Sequence, residues 1–387
     1  MKSLYNIFLA SARVFIDFKK IWVYNKISKE FTEITYMKFL KNVRLFGEIT
    51  DIAVENGKIA KIGKCAEAGE DFGGAKIYPG LIDTHSHGCI GLDTMEGGLP
   101  QMADFELKNG VTTWYPTTMT MSEEDIIAAT HRDINFGHGA NIPGFHMEGP
   151  FINKKLKGAQ NEAYILPPSM ELFNKCKNIK TVTIAPETEG SEEFIKSCPA
   201  VVSIGHTDAD YDTAKKAFDL GAKKLTHTYN VMPGIHHRAP GPIGAGSDSD
   251  GVYAELICDG KHVHSSAVKM LIKIFGEDRI ILISDSMRAT GLGDGEYSFG
   301  GQKVIVKDGT ALTEGGNLAG STSTLFDCVR VAITFGIKEE VAVKMATENP
   351  ARLMGLNKGK IEVGYDADFI IVDDGFNLIK SIARGEF

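Results

Sequence analysis

The 387-residue sequence predicts an α/β protein built on a (β/α)8 barrel, with a small β-sandwich domain formed from both ends of the chain. Eight short apolar runs alternate with polar stretches of helical spacing, as expected of parallel strands joined by helices. Eight is also the number of strands that closes such a barrel. Near both ends the pattern changes to alternation of apolar and polar residues, which is typical of short antiparallel strands.

Residues 1–36 are predicted to be an N-terminal extension outside the fold. They are rich in aromatic and basic residues and share no pattern with the segment that follows. Arg13 and Asp17 interrupt their apolar stretch early, which argues against a signal peptide. Met37 begins a segment that leads directly into the first predicted strand, and we expect the fold to start there.

The β domain is predicted over residues 37–78 and 357–387. From Lys38 to about Ala75, strand-like alternation is divided by turn signals such as the Glu55–Lys58 segment. The C-terminal segment alternates in the same way, with Gly and Asp at its turns. Because chain termini often lie close together, we expect the two segments to pair, which leaves residues 79–356 for the barrel.

The predicted barrel strands are almost continuously apolar, as strands buried on both faces must be. They are IYPGLIDT before His85, TTWYPTT from 112, IPGFHME from 142, TVTIAP from 181, AVVSIGH from 200, KLTHTYN from 224, VYAELICD from 252 and RIILISDS from 279.

Chemically capable residues lie at the ends of these runs. The carboxyl ends of barrel strands meet at one mouth, so residues far apart in sequence converge there. The sequence therefore predicts a functional site made of His85, His87, Glu148, His206, His227, Asp259 and Asp285.

The composition of these run ends predicts a catalytic metal. His85 and His87 form an H-x-H pair whose imidazoles suit transition metals, although two partly exposed histidines are the alternative. Two histidines and a glutamate match the open, three-ligand arrangement in which a metal activates a water. Asp285 is placed to accept the proton of that water, unless it is a helix N-cap.

Composition and charge exclude several other classes of function. The formal net charge is −8 and no long basic stripe is present, which argues against nucleic-acid binding. No apolar run approaches the roughly 20 residues that span a bilayer, so no membrane partner is expected. The six cysteines are scattered without a C-x-x-C pair, as expected of buried thiols in a reducing compartment such as the cytoplasm.

Several motifs carry a family resemblance, in the order PGLIDTHSHG, GFHMEGPF, IGHTDA, THTYNVMPG, DGKHV, ISDSM and LAGSTSTLFDCVR. From about Met37 to the C-terminus, the chain resembles the amidohydrolase superfamily of metal-dependent hydrolase barrels, and within it the N-acetylglucosamine-6-phosphate deacetylases. The resemblance implies hydrolysis of this sugar phosphate to glucosamine 6-phosphate and acetate, in amino-sugar catabolism or recycling.

The resemblance also implies a role for each matching residue. Glu148, His206 and His227 match the principal metal ligands, and Asp285 matches the catalytic acid/base. His85 and His87 match a second metal position, which Glu148 would bridge. One or two divalent transition metals per subunit are implied, chosen among zinc, iron, cobalt and manganese. The matching substrate contacts are Gln160, Asn230, the backbone of Val231, Arg238, His262 and Leu318.

Two further implications concern Arg238 and Gln160. The family's arginine reaches the phosphate from the neighbouring subunit, which implies a homodimer in which Arg238 does so; a solvated surface arginine is the alternative. Gln160 stands where some family members have a histidine that contacts the substrate carbonyl. Because this chain retains the H-x-H pair, we hypothesise that a second metal takes over that contact.

Two other functions fit the same residues less well. An amidohydrolase acting on another amide, such as an N-acyl amino acid or a cyclic amide, needs neither Arg238 nor the Asn230 segment. A non-catalytic barrel that binds sugar phosphate has no use for a general base such as Asp285.

Overall fold

The computed structural model describes residues 37–387. The expectation for residues 1–36 lies outside the described residues. Lys38–Phe387 forms one compact unit. Within residues 37–387, none of the helices combines the length and the apolar character that crossing a bilayer requires.

The described chain contains short strands and helices. The strands, in chain order, are β1 Lys38–Leu45, β2 Glu48–Glu55, β3 Lys58–Ile62, β4 Glu70–Asp71, β5 Lys76–Pro79, β6 Leu81–Ser86, β7 Gly88–Cys89, β8 Leu92–Asp93, β9 Val111–Thr118, β10 Phe145–Glu148, β11 Ile179–Ile184, β12 Val201–Ile204, β13 Lys224–Leu225, β14 Tyr253–Ile257, β15 Ile280–Ile283, β16 Gly295–Phe299, β17 Gln302–Lys307, β18 Thr310–Thr313, β19 Phe369–Val372 and β20 Leu378–Ile382. The α-helices are α1 Leu99–Lys108, α2 Glu123–Thr130, α3 Met170–Lys175, α4 Ser191–Ser197, α5 Tyr211–Leu220, α6 Gly241–Ser247, α7 Ser265–Phe275, α8 Leu325–Thr334, α9 Glu339–Met345 and α10 Glu348–Met354.

The predicted (β/α)8 barrel is confirmed. The strands β6, β9, β10, β11, β12, β13, β14 and β15 pair in parallel in that order, and α1 to α8 follow them one by one. Main-chain hydrogen bonds from Asp285 to the His85 carbonyl (2.9 Å) and from His87 to the Ser286 carbonyl (2.8 Å) connect the last strand to the first. The barrel is thereby nearly closed, and its strand ends meet at one mouth.

The strand-forming runs are buried because helices cover their outer faces. Every residue of β6, β9, β10, β14 and β15 is buried. Polar caps set the start of several helices: the Asp210 carboxylate accepts the main-chain N–H of Thr213 at the start of α5. Thr324 and Asp327 form a capping box at the start of α8.

The first predicted run divides into two strands. IYP belongs to β5, which pairs with β19 of the terminal sheet, whereas LIDTHS forms β6 of the barrel. Gly80 lies between them. A Cβ atom added to Gly80 would lie 2.2 Å from the Thr112 hydroxyl oxygen, so no larger side chain fits at this junction. His85 consequently lies within β6 rather than after it.

Both described ends of the chain meet in a small β domain, as predicted. Its strands are connected in one sheet with the order β20-β19-β5-β1-β2-β3, and β4 pairs with β1. This sheet is mixed, because β1 runs parallel to β4 and β5 and antiparallel to β2. A separate apolar core that includes Leu40, Ile52, Phe369 and Ile382 holds the domain together.

One element was not predicted from the sequence. The strands β16, β17 and β18 form a three-stranded antiparallel sheet between β15 and α8. We call residues 295–313 the arm. Its Phe299 is buried against the mouth of the barrel, with its ring 5.1 Å from that of His87. All six cysteines are free thiols; three are buried as predicted, whereas Cys65, Cys176 and Cys198 are only partly buried.

Candidate active site at the barrel mouth

All the predicted run-end residues except Asp259 come together around Glu148, the last residue of β10, whereas Asp259 contacts His262. Glu148 Oε1 lies 3.1 Å from His227 Nε2, 3.3 Å from His206 Nε2 and 3.3 Å from His85 Nε2. Its Oε2 lies 3.2 Å from His87 Nε2. One buried carboxylate therefore contacts all four histidines, each of which is at most 4 % exposed.

Asp285 completes the cluster from the opposite side of the H-x-H pair. Its Oδ1 lies 3.5 Å from His85 Nε2 and 3.3 Å from His87 Nε2. The alternative that the two histidines are partly exposed is wrong, because they are 0 % and 1 % exposed. The N-cap alternative for Asp285 is also wrong, because the next helix begins at Leu325.

The cluster separates into two groups of candidate ligands, and Glu148, a member of the second, also contacts both histidines of the first. His85, His87 and Asp285 bring three candidate ligand atoms together, and Glu148, His206 and His227 bring another three; within each group these atoms lie within 4.8 Å of one another. Two ligand atoms of a tetrahedral zinc site are about 3.3 Å apart, close to the spacings around Glu148. His85 Nε2 is also a buried nitrogen without a hydrogen-bond partner among the described residues. These donors fit a divalent transition metal in either group.

The electrostatics of the cluster favour positive charge. Burial by itself would lower the pKa of His87, but the carboxylates of Asp285 and Glu148 outweigh it and raise the pKa to about 9. The same two carboxylates raise the pKa of His85 well above its ordinary value against the effect of burial. A field that retains protons on these nitrogens also attracts a divalent cation, which competes with those protons.

Neighbouring groups orient two members of the cluster. The Gln160 amide nitrogen donates to Glu148 Oε2 (2.7 Å), and its amide oxygen accepts the main-chain N–H of Thr120 (2.7 Å). His206 Nδ1 lies 2.9 Å from the Leu156 carbonyl oxygen, which directs its Nε2 towards Glu148. Gln160 thus contacts Glu148 as well as lining the cavity.

Three cluster residues have left-handed backbone conformations that are uncommon outside glycine. The φ angles are 48° at His206, 29° at His227 and 48° at Asp285. Each of these residues follows the end of its barrel strand, where the chain turns to present the side chain to the mouth. Such strain concentrates at functional sites, where the surrounding structure holds it in place.

A cavity of about 200 Å³ opens above the cluster. Most of the predicted substrate contacts line it: Gln160, Asn230, Val231, His262 and Leu318. His262 Nδ1 lies 2.7 Å from Asp259 Oδ2. Burial by itself would lower the pKa of His262, but Asp259 outweighs it and raises the pKa above its ordinary value.

Arg238 is the one predicted substrate contact that does not line this cavity. It is exposed in the loop between β13 and α6, with a guanidinium nitrogen 2.7 Å from His237 Nε2. Within the described part of one chain, Arg238 therefore lies outside the cavity above the histidine and carboxylate cluster.

Several residues of the site were not identified from the sequence. Phe299 and Asn317 line the cavity because the arm and the segment after it close one side. Lys224 and Glu255 form a buried ion pair, and Glu255 also lies 3.1 Å from His85 Nδ1. The one sequence feature that could have identified them is a charged residue in each of two predicted barrel strands.

A parallel eight-stranded barrel with a buried histidine and carboxylate cluster at its mouth defines a barrel enzyme with a candidate metal centre. The amidohydrolase family model matches residues 77–386. The chain belongs to the amidohydrolase family, and it is a hydrolase.

Individual relatives within this family are similar to the chain over most of its length. The chain is 40 % identical over 360 residues to an N-acetylglucosamine-6-phosphate deacetylase of Lysinibacillus sphaericus, covering 87 % of this chain and 93 % of the relative. It is 33 % identical over 361 residues, with the same coverage, to an N-acetylgalactosamine-6-phosphate deacetylase of Escherichia coli O157:H7. A mutant N-acetyl-D-glucosamine-6-phosphate deacetylase of Mycobacterium smegmatis, solved in complex with N-acetyl-D-glucosamine-6-phosphate, superimposes with a TM-score of 0.85 at 28 % identity, covering 91 % of this chain and 98 % of that one.

Proposed function

We propose that this enzyme hydrolyses the acetamido group of N-acetylglucosamine 6-phosphate to acetate and glucosamine 6-phosphate. The observation that carries the proposal is the Glu148-centred cluster at the base of a cavity lined by Asn230 and His262. The names of the relatives above support the same substrate. The corresponding physiological role is amino-sugar catabolism or recycling in the cytoplasm.

The metal would be held by Glu148, His206 and His227, with His85 and His87 forming a second position beside Asp285. When bound, a divalent transition metal supplies Lewis acidity that lowers the pKa of water and polarises a carbonyl. Zinc, iron, cobalt and manganese all accept these ligands. The contacts of Glu148 with all four histidines support one or two metals per subunit, and Glu148 would be a ligand available to both.

Asp285 is the proposed general base and acid. Its carboxylate lies at the cavity wall beside His85 and His87 and is 7 % exposed, so it faces a space that water and substrate can enter. As water attacks the amide carbon, the carboxylate accepts a proton; it then delivers this proton to the amine nitrogen when the C–N bond breaks.

Positioning of the sugar is assigned to the cavity wall and to the neighbouring subunit. His262, with Asn230, the backbone of Val231 and Leu318, would orient the ring and the acetamido group. Arg238 is exposed outside this cavity, a placement that supports a homodimer in which it reaches the partner's substrate phosphate. A guanidinium can donate to two phosphate oxygens at once.

The hydrogen bonds of Gln160 are relevant to the number of metals per subunit. Its amide oxygen accepts from Thr120 and one N–H of its amide nitrogen donates to Glu148, so only the second amide N–H remains for a substrate carbonyl. Because one neutral N–H polarises a carbonyl weakly, this arrangement supports the hypothesis that the H-x-H pair would hold a second metal, whose Lewis acidity would polarise the carbonyl instead. A fully loaded, active enzyme with a single metal per subunit would exclude this hypothesis.

The decisive experiment measures acetate release by purified protein of known metal content. Substrates are N-acetylglucosamine 6-phosphate, N-acetylgalactosamine 6-phosphate and unphosphorylated N-acetylglucosamine, each before and after chelation. We expect a strong preference for phosphorylated N-acetylglucosamine, loss of activity on chelation, and recovery when zinc, iron, cobalt or manganese is added.

Each competing function has its own outcome in this experiment. A preference for the galactosamine compound would favour the activity that the Escherichia coli relative's name describes. Activity on none of the sugars would direct the search to N-acyl amino acids and cyclic amides. Tight binding of the sugar phosphate without acetate release would favour the non-catalytic binding protein.

A further inference from the structure

A buried ion pair lies inside the barrel directly beneath the metal cluster. Lys224 on β13 and Glu255 on the adjacent strand β14 are both 0 % exposed, and the Lys224 ammonium contacts Glu255 Oε1. Burying two charges costs several kcal/mol per ion before their attraction is counted, and apolar residues of similar size often stabilise a core as well or better. Stability alone therefore does not account for this pair.

The second oxygen of Glu255 connects the pair to the cluster. Oε2 lies 3.1 Å from His85 Nδ1 and accepts the main-chain N–H of His227 at 3.2 Å. His85 belongs to one candidate metal group and His227 to the other. One carboxylate thus contacts a residue of each group while its other oxygen is held by Lys224.

The contact with Glu255 determines which nitrogen of His85 can bind a metal. An ionised carboxylate only accepts hydrogen bonds, so Nδ1 must carry the hydrogen, and the neutral ring then has its lone pair on Nε2. Nε2 is the atom that faces Glu148 Oε1 and Asp285 Oδ1. By contrast, Nδ1 of His87 and Nδ1 of His227 are buried without a hydrogen-bond partner among the described residues.

We propose that Glu255 and Lys224 are positioning residues that hold His85 in the tautomer and orientation required for metal binding. Lys224 holds the Glu255 carboxylate, and Glu255 holds His85. The inference rests on the proposed metal role of the His85, His87 and Asp285 group. Neither residue reaches the substrate cavity, so neither is catalytic.

Two double variants separate positioning from packing. Removing one partner alone would leave an uncompensated buried charge and endanger folding, so both partners are replaced together. Lys224→Met with Glu255→Gln retains an acceptor for His85, whereas Lys224→Met with Glu255→Leu retains none. A matched control, Lys358→Met with Asp368→Asn, removes another buried ion pair, which lies in the β domain.

The readouts are metal stoichiometry by elemental analysis and zinc affinity by competition with a chelator, both without substrate. We expect Lys224→Met with Glu255→Leu to lose the metal of the His85 group or to bind it about 10- to 100-fold more weakly, as for other outer contacts of metal ligands. The glutamine variant should recover part of this affinity, and the β-domain control should match the wild type.

Unchanged metal stoichiometry and affinity in a folded leucine variant would overturn the proposal, as would equal losses in the leucine variant and the β-domain control. Thermal unfolding of the metal-free proteins confirms that each variant is folded. The outcome is separable from that of the proposed function, because a wild type that binds metal but releases no acetate would contradict only the latter.

Discussion

At the scale of single residues, Glu148 organises the site. Its two oxygens divide the cluster, with His85, His206 and His227 near Oε1 and with His87 and Gln160 near Oε2. Glu148 therefore contacts histidines of both candidate metal groups, and Oε1 by itself lies near members of each. Burial by itself would raise the pKa of Glu148, but the surrounding histidines outweigh it and hold the pKa well below its ordinary value.

Asp285→Asn tests the proposed general base. The amide has nearly the same size but cannot accept the proton, so kcat should fall by about two to four powers of ten. KM for N-acetylglucosamine 6-phosphate and metal at Glu148, His206 and His227 should change little. Steady-state kinetics and elemental analysis check both expectations. Asp294→Asn, an exposed change in the segment before the arm, is the matched control. A kcat for Asp285→Asn within about fivefold of the wild-type value would contradict the role of Asp285 as general base.

At the scale of elements, the β domain depends on a buried carboxylate in β2. Asp51 is 1 % exposed; it accepts the main-chain N–H groups of Asn42 (3.0 Å) and Cys65 (2.9 Å) and pairs with the Lys41 ammonium at 2.9 Å. Burial by itself would raise the pKa of Asp51, but these donors outweigh it and lower the pKa far below its ordinary value. The carboxylate therefore connects β1, β2 and the segment after β3.

Asp51→Asn should lower the free energy of unfolding by about 1–3 kcal/mol at pH 7, because an amide cannot accept all of these hydrogen bonds. The pKa of Asp51 is lower in the folded chain than in the unfolded chain, where it is about 3.9. The resulting stabilisation of the folded state is therefore complete at pH values above about 3.9 and is lost as the pH falls from there towards the folded-state pKa. The difference between wild type and variant should therefore shrink as the pH falls below about 4.

Urea unfolding at a series of pH values from 7 to 3 measures this difference. The exposed Asp71→Asn is the control, and it should remain close to wild type throughout. A gap between wild type and Asp51→Asn that stays constant down to pH 3 would contradict the assignment.

At the scale of the whole molecule, the role of Arg238 shows whether each active site is formed by one subunit or by two. Mixing Arg238→Ala chains with Asp285→Asn chains tests this, since each variant alone should be nearly inactive with N-acetylglucosamine 6-phosphate. In a mixed dimer, one site combines an intact Asp285 with an intact Arg238 from the partner. Random exchange of subunits should then restore about a quarter of wild-type activity.

The measurement is acetate release after the two chains have been co-expressed with different affinity tags. Recovery of mixed dimers through both tags confirms that exchange took place. If purified mixed dimers remain as inactive as the parents, Arg238 does not act across the interface.

Much of the barrel was predictable because its determinants are local in sequence. Strands buried on both faces must be apolar along their length. The residues at or just beyond the carboxyl ends of these strands lie at the mouth of the barrel. These two requirements leave apolar runs that end in His85, Glu148, His206, His227 and Asp285. The arm was missed because its alternating strands follow the eighth run, where a helix was expected.

The sequence by itself determined the barrel, the β domain from its two ends and the set of residues at the mouth, since each depends on periodicity and on order along the chain. Only the tertiary structure decided that Glu148 lies among all four histidines, that Gln160 supports Glu148, and that Glu255 holds His85. The physical reason is distance along the chain: His85 and Glu255 are 170 residues apart, and closure of the barrel alone brings them within 3.1 Å.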